Sequence, residues 1–139
     1  MTRSKKNAGA RTVLVISDDC QAIDDIKQVF ELCEPKTLVK TADGSCNIKH
    51  LVKTLQPHAI VLDLGISDID GFDVIADIRQ ISEAALVTLS YTRDQSILVK
   101  ALEMGADGHM TKPIHQLEFI ARVRSILRRK EITCQTLKV

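Results

Sequence analysis

The sequence predicts an α/β fold in which five parallel strands form one doubly wound sheet in the order 2-1-3-4-5. Strand-like and helix-like patterns alternate five times along 139 residues, which is typical of a parallel sheet with helices on both faces. The first, third and fourth strand patterns are strongly apolar, as strands buried on both faces are. The second strand pattern is more polar, which places it at a sheet edge. With right-handed crossovers, these observations favour the stated order.

Each strand pattern is a short run that ends in a turn or in polar residues. The runs cover residues 13–16, 37–41, 59–64, 85–89 and 108–111. Each helix pattern has apolar residues at helical spacing, and Pro35, Pro57 and Gly105 stand where three of the helices end. The helix patterns cover about residues 21–33, 48–55, 74–81, 95–104 and 115–129.

The bulk properties favour one globular domain and give no sign of a membrane or nucleic-acid partner. The net charge is +1, and no apolar run approaches the roughly 20 residues that span a bilayer. The N-terminus lacks the apolar core of a secretory signal. The four cysteines form no CxxC pair, so we expect reduced thiols and a cytoplasmic protein.

Polar side chains stand at the carboxyl ends of four of the predicted strands. They are Asp18 and Asp19, Asp63, Ser90, and Thr111 with Lys112. Each has an ordinary explanation alone; Asp18 or Asp19, for example, could cap the first helix. Together they lie at the edge where such sheets bind ligands. Clustered carboxylates favour Mg²⁺, beside which Asp63 could attack phosphorus, with Lys112 as counter-charge and Ser90 as hydrogen-bond donor.

With these residues the chain resembles the receiver domain of two-component response regulators, a CheY-like, flavodoxin-like fold, over about residues 11–130. The acidic pair, Asp63, the Asp70-Gly71 turn, Ser90 and Lys112-Pro113 match the family motif in order. The resemblance implies a signalling domain rather than an enzyme, beyond self-catalysed phosphotransfer and dephosphorylation. Asp63 would accept phosphate from a sensor histidine kinase, Ser90 and Lys112 would bind the phosphoryl group, and Lys112-Pro113 would be cis. The implied Mg²⁺ ligands are Asp18, Asp19, Asp63 and the backbone carbonyl of Gly65.

Residues 102–107, 111–113 and 118–129 resemble the OmpR/PhoB-type branch more specifically. This implies a homodimer through the fourth helix, fifth strand and fifth helix. The charged residues expected in that interface are Glu103, Asp107, Glu118 and Arg122. The branch usually carries a DNA-binding output domain, for which this chain has no room. We therefore expect a disordered basic tail over residues 1–10, a receiver over 11–130, and over 131–139 a linker or the truncated first strand of an output domain. A natural single-domain regulator is the alternative.

Four positions depart from the family pattern. Tyr91 stands where a small residue is usual, and its phenol could cover Asp63 or swing outward. We expect slower phosphorylation by small donors than in Tyr91→Ala. His109 replaces an aromatic switch residue and is expected to be a neutral, surface-facing imidazole. Alternatively, it is still a switch residue, with Ser90 and Tyr91, but is coupled differently to phosphorylation. Ser67 replaces a proline and Gly65 a larger residue, which loosens the loop and could expose the acyl phosphate to water.

Three other functions are compatible with parts of the pattern. A receiver that is not phosphorylated could serve as a protein-interaction scaffold, a reading supported only by Tyr91 and His109. A haloacid dehalogenase-type hydrolase would need a second Asp where Gly65 stands. A flavin-binding flavodoxin-like protein would need a phosphate-cradling loop after the first strand, where Asp18 and Asp19 would repel phosphate in the absence of a cation.

Overall fold

The structure, a computed structural model, describes the backbone of residues 10–138 and the side chains of residues 10–132. The strands are β1 Thr12–Ile16, β2 Leu38–Ala42, β3 Ala59–Asp63, β4 Ala85–Ser90 and β5 Gly108–Thr111. The helices are α1 Cys20–Cys33, α2 Ile48–Leu55, α3 Gly71–Ile81, α4 Gln95–Glu103 and α5 Gln116–Lys138. The basic tail predicted for residues 1–10 lies, except for Ala10, outside the described residues.

The five strands form one parallel sheet in the order β2-β1-β3-β4-β5, which confirms the predicted topology. β3 lies at the centre, and every one of its residues is buried. β2 lies at an edge and most of its side chains are partly or fully exposed, as its polar composition predicts. Strand order reverses between β1 and β3, so the carboxyl ends of these two strands flank the crevice where ligands bind in such sheets.

The core has two layers, one on each face of the sheet, because alternate strand residues point to opposite faces. On one face Val13, Val61 and Val87 pack with α1 and α5, where the rings of Phe30 and Phe119 meet edge to face at 6.1 Å. On the other face a second set of strand residues packs with α2, α3 and α4, and it includes Leu14, Ile60 and Leu86. Burial on both faces explains the continuous apolar runs of β1, β3 and β4.

Helix α5 is longer than predicted. It continues to Lys138, whereas the sequence indicated a helix end near Arg129 and a strand-like tail from Ile132. Residues 130–138 contain neither proline nor glycine, so nothing in them stops a helix. The guanidinium of Arg11 also contacts the carboxylate of Glu131 at 2.6 Å, which ties this extension to the start of β1. The loose alternation of polar and apolar residues in this segment was therefore a weak indication of a strand.

Within residues 10–138, none of the helices is both long enough and apolar enough to cross a lipid bilayer.

Candidate functional site

Asp63 ends β3 at the centre of the sheet, and its side chain is only 1% exposed. Its Oδ2 accepts hydrogen bonds from Ser17 Oγ and Lys112 Nζ, both at 2.7 Å. Its Oδ1 accepts one from the backbone N–H of Gly65 at 2.8 Å. A buried carboxylate needs such partners, because burial removes the water that would otherwise stabilise its charge.

Lys112 follows β5 and joins the two strand ends that flank the crevice. Its Nζ lies 2.7 Å from Asp63 Oδ2 and 3.0 Å from Asp19 Oδ2. Burial lowers the pKa of Lys112, but the hydrogen bonds to Asp63 and Asp19 outweigh this and leave the pKa above its usual value. The ammonium is therefore charged at neutral pH and sits between the two carboxylates. The Lys112-Pro113 bond is cis, which agrees with the resemblance.

Asp19 both caps a helix and contacts Lys112. Its Oδ1 caps α1 by accepting the N–H groups of Gln21 and Ala22, and its Oδ2 faces Lys112. Burial raises the pKa of Asp19, but the hydrogen bonds from Lys112, Ala22 and Tyr91 outweigh it and hold the pKa below its ordinary value. Asp19 is thus an anion at neutral pH.

The side chain of Tyr91 contacts two members of this site, Asp19 and Lys112. The Lys112 ammonium faces the Tyr91 ring, with Nζ 4.4 Å from the ring centroid. The Tyr91 hydroxyl donates a hydrogen bond to Asp19 Oδ2 at 3.2 Å. The side chain is 67% exposed, so it is a cover on the outer side of the site rather than part of the core.

Asp18 and Gly65, the other predicted metal ligands, differ in position from Asp19 and Asp63. Asp18 is exposed and lines a shallow cleft beside Asp43 and Ser45, whereas Gly65 lies directly beside the carboxylate of Asp63. Within residues 10–132, no three Asp, Glu, His or Cys side chains converge closely enough to enclose a metal by themselves. The ligand roles of Asp18 and of the Gly65 carbonyl stay predictions.

The donor set nevertheless fits a hard divalent cation. Asp19 and Asp63 supply carboxylate oxygens around a point that already holds the positive charge of Lys112. Mg²⁺ is typically held by one or two carboxylates and keeps several waters, so a full cage of side chains is not required. The residues that would hold it are Asp19 and Asp63, with Asp18 and the carbonyl of Gly65 as further candidates.

His109 contradicts the expectation of a surface-facing imidazole. Its Nδ1 lies 2.7 Å from Thr88 Oγ1 and its Nε2 lies 3.2 Å from Ser90 Oγ. The ring thus turns inward, across the ends of β4 and β5, because two hydroxyls there offer partners for both ring nitrogens. Ser90 is buried, and its hydroxyl also lies 3.4 Å from the carbonyl of Thr92. The predicted phosphoryl-binding hydroxyl is therefore held by the predicted switch residue.

The position of His109 leads to a pH-dependent stability. Burial lowers the pKa of His109 below its usual 6.5, so the unfolded chain binds a proton more readily than the folded protein does. The stabilisation is complete above the unfolded pKa and is lost as the pH falls toward the folded pKa. We expect His109→Gln to lose less unfolding free energy than the parent between about pH 7.5 and pH 5.5, measured by urea denaturation.

The exposed His50 on α2 provides a matched control for this measurement. His50→Gln should follow the parent at every pH. Parallel pH profiles for the parent and His109→Gln would contradict the prediction.

The predicted interface residues lie on α4, on α5 and before β5, away from Asp63. Glu118 and Arg122 pair with each other along α5 at 3.3 Å, and both are about half exposed. Glu103 is exposed at the end of α4. Asp107 is engaged within the chain: it contacts Arg79 at 2.9 Å and Lys130 at 3.3 Å. Its Oδ2 also accepts the N–H of Leu86.

Three residues of this architecture were missed by the sequence analysis. Ser17 donates to Asp63, and its position at the end of β1 was a usable signal. Thr88 binds His109 from within β4, where alternation gave no hint of a polar partner. Arg79 on α3 donates to the carbonyls of Gly105, Ser82 and Ala84. No local signal marks Arg79, because its partners lie in two different loops.

An α/β domain with a buried Asp at the central strand end, joined to a lysine and a second carboxylate, is the arrangement of a receiver. The chain belongs to this family: the model described as "Response regulator receiver domain" matches residues 13–124. The transcriptional regulatory protein KdpE of Mycobacterium tuberculosis is 35% identical over 117 residues, which cover 84% of this chain and 51% of the relative. KdpE of Staphylococcus aureus is 34% identical over 84% of this chain and 49% of the relative.

Solved structures agree on the fold. The signal receiver domain of a DNA binding response regulator from Colwellia psychrerythraea superposes with a TM-score of 0.78 at 20% identity, covering 85% of this chain and 98% of that one. The chain spans about half the length of the curated relatives it matches. Those relatives are named as transcriptional regulators, as the resemblance to the OmpR/PhoB-type branch implies.

Proposed function

We propose that this chain is a phosphoacceptor receiver that takes a phosphoryl group onto Asp63 in the presence of Mg²⁺. The observation that carries the proposal is the convergence of Asp19, Asp63 and Lys112 at the carboxyl ends of β1, β3 and β5 in a chain of the receiver family. The carboxylate is desolvated and held in place by three donors, so it is oriented for attack.

The chemistry follows from which oxygen of Asp63 is free. Within residues 10–132, Oδ2 already accepts two side-chain hydrogen bonds, whereas Oδ1 accepts a single one, from the N–H of Gly65. A side chain at Gly65 would bring a Cβ within 3.1 Å of Oδ1, so glycine leaves this oxygen open to approach. Oδ1 is therefore the proposed nucleophile.

In the proposed transfer, Oδ1 attacks the phosphorus of a phosphohistidine. An O–P bond forms, the P–N bond breaks, and its electron pair leaves on the ring nitrogen of the kinase histidine, which takes up a proton. Lys112 neutralises the charge of the phosphoryl oxygens, and Mg²⁺ would supply further positive charge when bound. Asp63 then carries an acyl phosphate.

The proposed signal passes through Ser90. A phosphoryl group adds about −1.5 to −2 charge and strong acceptor oxygens, which favours a Ser90 hydroxyl turned toward Asp63. Ser90 must then leave Nε2 of His109, so the loop after β4 and the imidazole respond together. Ser90, Tyr91 and His109 are the proposed switch residues.

The proposed output is dimerisation through α4, β5 and α5. Support comes from α4, where Val99 is 49% and Leu102 41% exposed, so apolar area is left uncovered in the monomer. Glu103, Glu118 and Arg122 are exposed on α4 and α5. Glu118 and Arg122 would have to exchange their mutual contact for contacts across a two-fold axis. Asp107 would first have to share or lose its contacts with Arg79 and Lys130.

The proposed partners are a sensor histidine kinase and, through an output domain in a longer protein, DNA. Support comes from relatives named as transcriptional regulators, of which the matched part of this chain covers 51% and 49%. We propose a cytoplasmic location and no membrane partner. A single-domain regulator and a scaffold that is not phosphorylated are the alternatives.

The test is incubation with Mg²⁺ and acetyl phosphate, followed by intact-mass measurement. We expect one added phosphoryl group in the parent and none in Asp63→Asn, because Asp63 is the nucleophile. The matched control is Asp68→Asn, since Asp68 is an exposed carboxylate in the loop after β3, and it should be modified like the parent. Size-exclusion chromatography in the presence of beryllium fluoride, a mimic of the phosphoryl group, measures dimerisation. An unmodified, monomeric parent would favour the scaffold.

A further inference from the structure

The carboxylate of Asp19 has its hydrogen-bonding capacity filled. Oδ1 accepts the N–H groups of Gln21 at 3.1 Å and Ala22 at 3.3 Å. Oδ2 accepts Lys112 Nζ at 3.0 Å and the Tyr91 hydroxyl at 3.2 Å. A carboxylate offers about four acceptor positions, so Asp19 can bind a cation only if one of these donors leaves.

The Tyr91 hydroxyl is the donor that leaves most easily. The two N–H groups belong to the first turn of α1, which needs its cap. Lys112 is buried and is also tied to Asp63 at 2.7 Å, so it is held in the site from a second side. Tyr91 is 67% exposed, and water can satisfy its hydroxyl at once.

Release of Tyr91 would affect the loop between β4 and α4, because Tyr91 is part of that loop. Tyr91 directly follows Ser90 and opens the short loop that ends at Asp94, the N-cap of α4. Within residues 10–132, its hydroxyl donates to Asp19, and its ring contacts the Lys112 ammonium. Both contacts tie this loop to the phosphoacceptor site before any phosphate is present.

We propose that the Tyr91 hydroxyl competes with the divalent cation for Asp19, so that cation binding alone, before phosphorylation, releases the loop between β4 and α4. This rests on the proposed function only in taking Asp19 and Asp63 as cation ligands. Tyr91 is here a positioning residue that sets the cation affinity and couples it to the switch loop.

The first measurement compares Mn²⁺ affinity, read by electron paramagnetic resonance, in the parent and in Tyr91→Phe. This variant keeps the ring over Lys112 and removes only the competing hydroxyl. We expect the variant to bind Mn²⁺ roughly three- to tenfold more tightly, the range that one net hydrogen bond corresponds to. Mg²⁺ should displace the Mn²⁺ from both proteins. The matched control is Arg93→Ala, since Arg93 is an exposed side chain in the same loop, and its affinity should equal that of the parent.

The second measurement uses Tyr91 itself as the reporter, since the chain has one tyrosine and no tryptophan. Mg²⁺ should change the tyrosine emission and make it more accessible to quenching by acrylamide. The concentration dependence should match the Mn²⁺ competition. Asp19→Asn should abolish the Mg²⁺-dependent change.

The outcomes separate this inference from the proposed function. Equal Mn²⁺ affinities in the parent and Tyr91→Phe, with normal phosphorylation of Asp63, overturn the inference alone. Tighter binding by Tyr91→Phe, with no phosphorylation of either protein, supports the inference and removes the phosphoacceptor function. Failure of both proteins to bind Mn²⁺ overturns the inference and the metal site together.

Discussion

Replacement of Lys112 by methionine is expected to destabilise the protein by about 3–5 kcal/mol, the usual cost of removing one partner of a buried ion pair. The Lys112 side chain is 4% and that of Asp63 1% exposed, so the variant would leave a buried carboxyl group without its cationic partner. Asp63 would keep its hydrogen bonds from Ser17 and Gly65. We therefore expect a loss of unfolding free energy near the lower end of this range. Urea denaturation followed by circular dichroism measures it.

Two further comparisons make this prediction specific to the charge. Asp63→Asn in the Lys112→Met background should recover part of the stability, because the unpaired charge is then gone; such a cycle isolates the pairwise interaction. Mg²⁺ should stabilise Lys112→Met more than it stabilises the parent. Lys27→Met replaces an exposed lysine on α1 and should stay within about 0.5 kcal/mol of the parent. A double variant less stable than Lys112→Met would contradict the prediction.

Replacement of Arg79 by methionine is expected to cost a similar amount, about 3–5 kcal/mol, although Arg79 lies on α3 and is no part of the Asp63 site. Its guanidinium donates to the carbonyls of Gly105 and Ala84, both at 2.7 Å, and to Asp107 Oδ2 at 2.9 Å. The side chain is 15% exposed, so these acceptors would lose a donor in a largely dry region. Thermal and urea unfolding measure the loss.

Arg79→Lys should restore little of this stability, because an ammonium cannot donate in the planar directions that the guanidinium uses. Arg122→Met is the matched control: Arg122 pairs with Glu118 at the surface and is 53% exposed, and exposed pairs contribute little. A loss under about 1 kcal/mol for Arg79→Met would show that water replaces the guanidinium.

The sheet and the site around Asp63 show where local patterns predict structure well. Sheet order followed from strands that are apolar throughout when both faces are covered, and from one polar strand at an edge. The candidate site followed because parallel strands end at the same edge, so Asp19, Asp63 and Lys112 had to come together there. The contact between Asp19 and Lys112 joins residues 93 positions apart, yet the strand ends alone predict it.

Local sequence patterns did not predict side-chain orientations or contacts between loops. The inward turn of His109 depends on Thr88 and Ser90, which face it from the neighbouring strand, and Arg79 depends on two loops that meet only in the folded protein. Asp18 and Asp19 are adjacent in the chain, but only Asp19 is held by Lys112 and Tyr91. The sequence alone determined the sheet, the place of Asp63 and its lysine, because backbone periodicity and strand direction are local properties. Which carboxylate is engaged, which way His109 faces and what Tyr91 covers were decided by tertiary packing, because rotamers respond to neighbours that are distant in the chain.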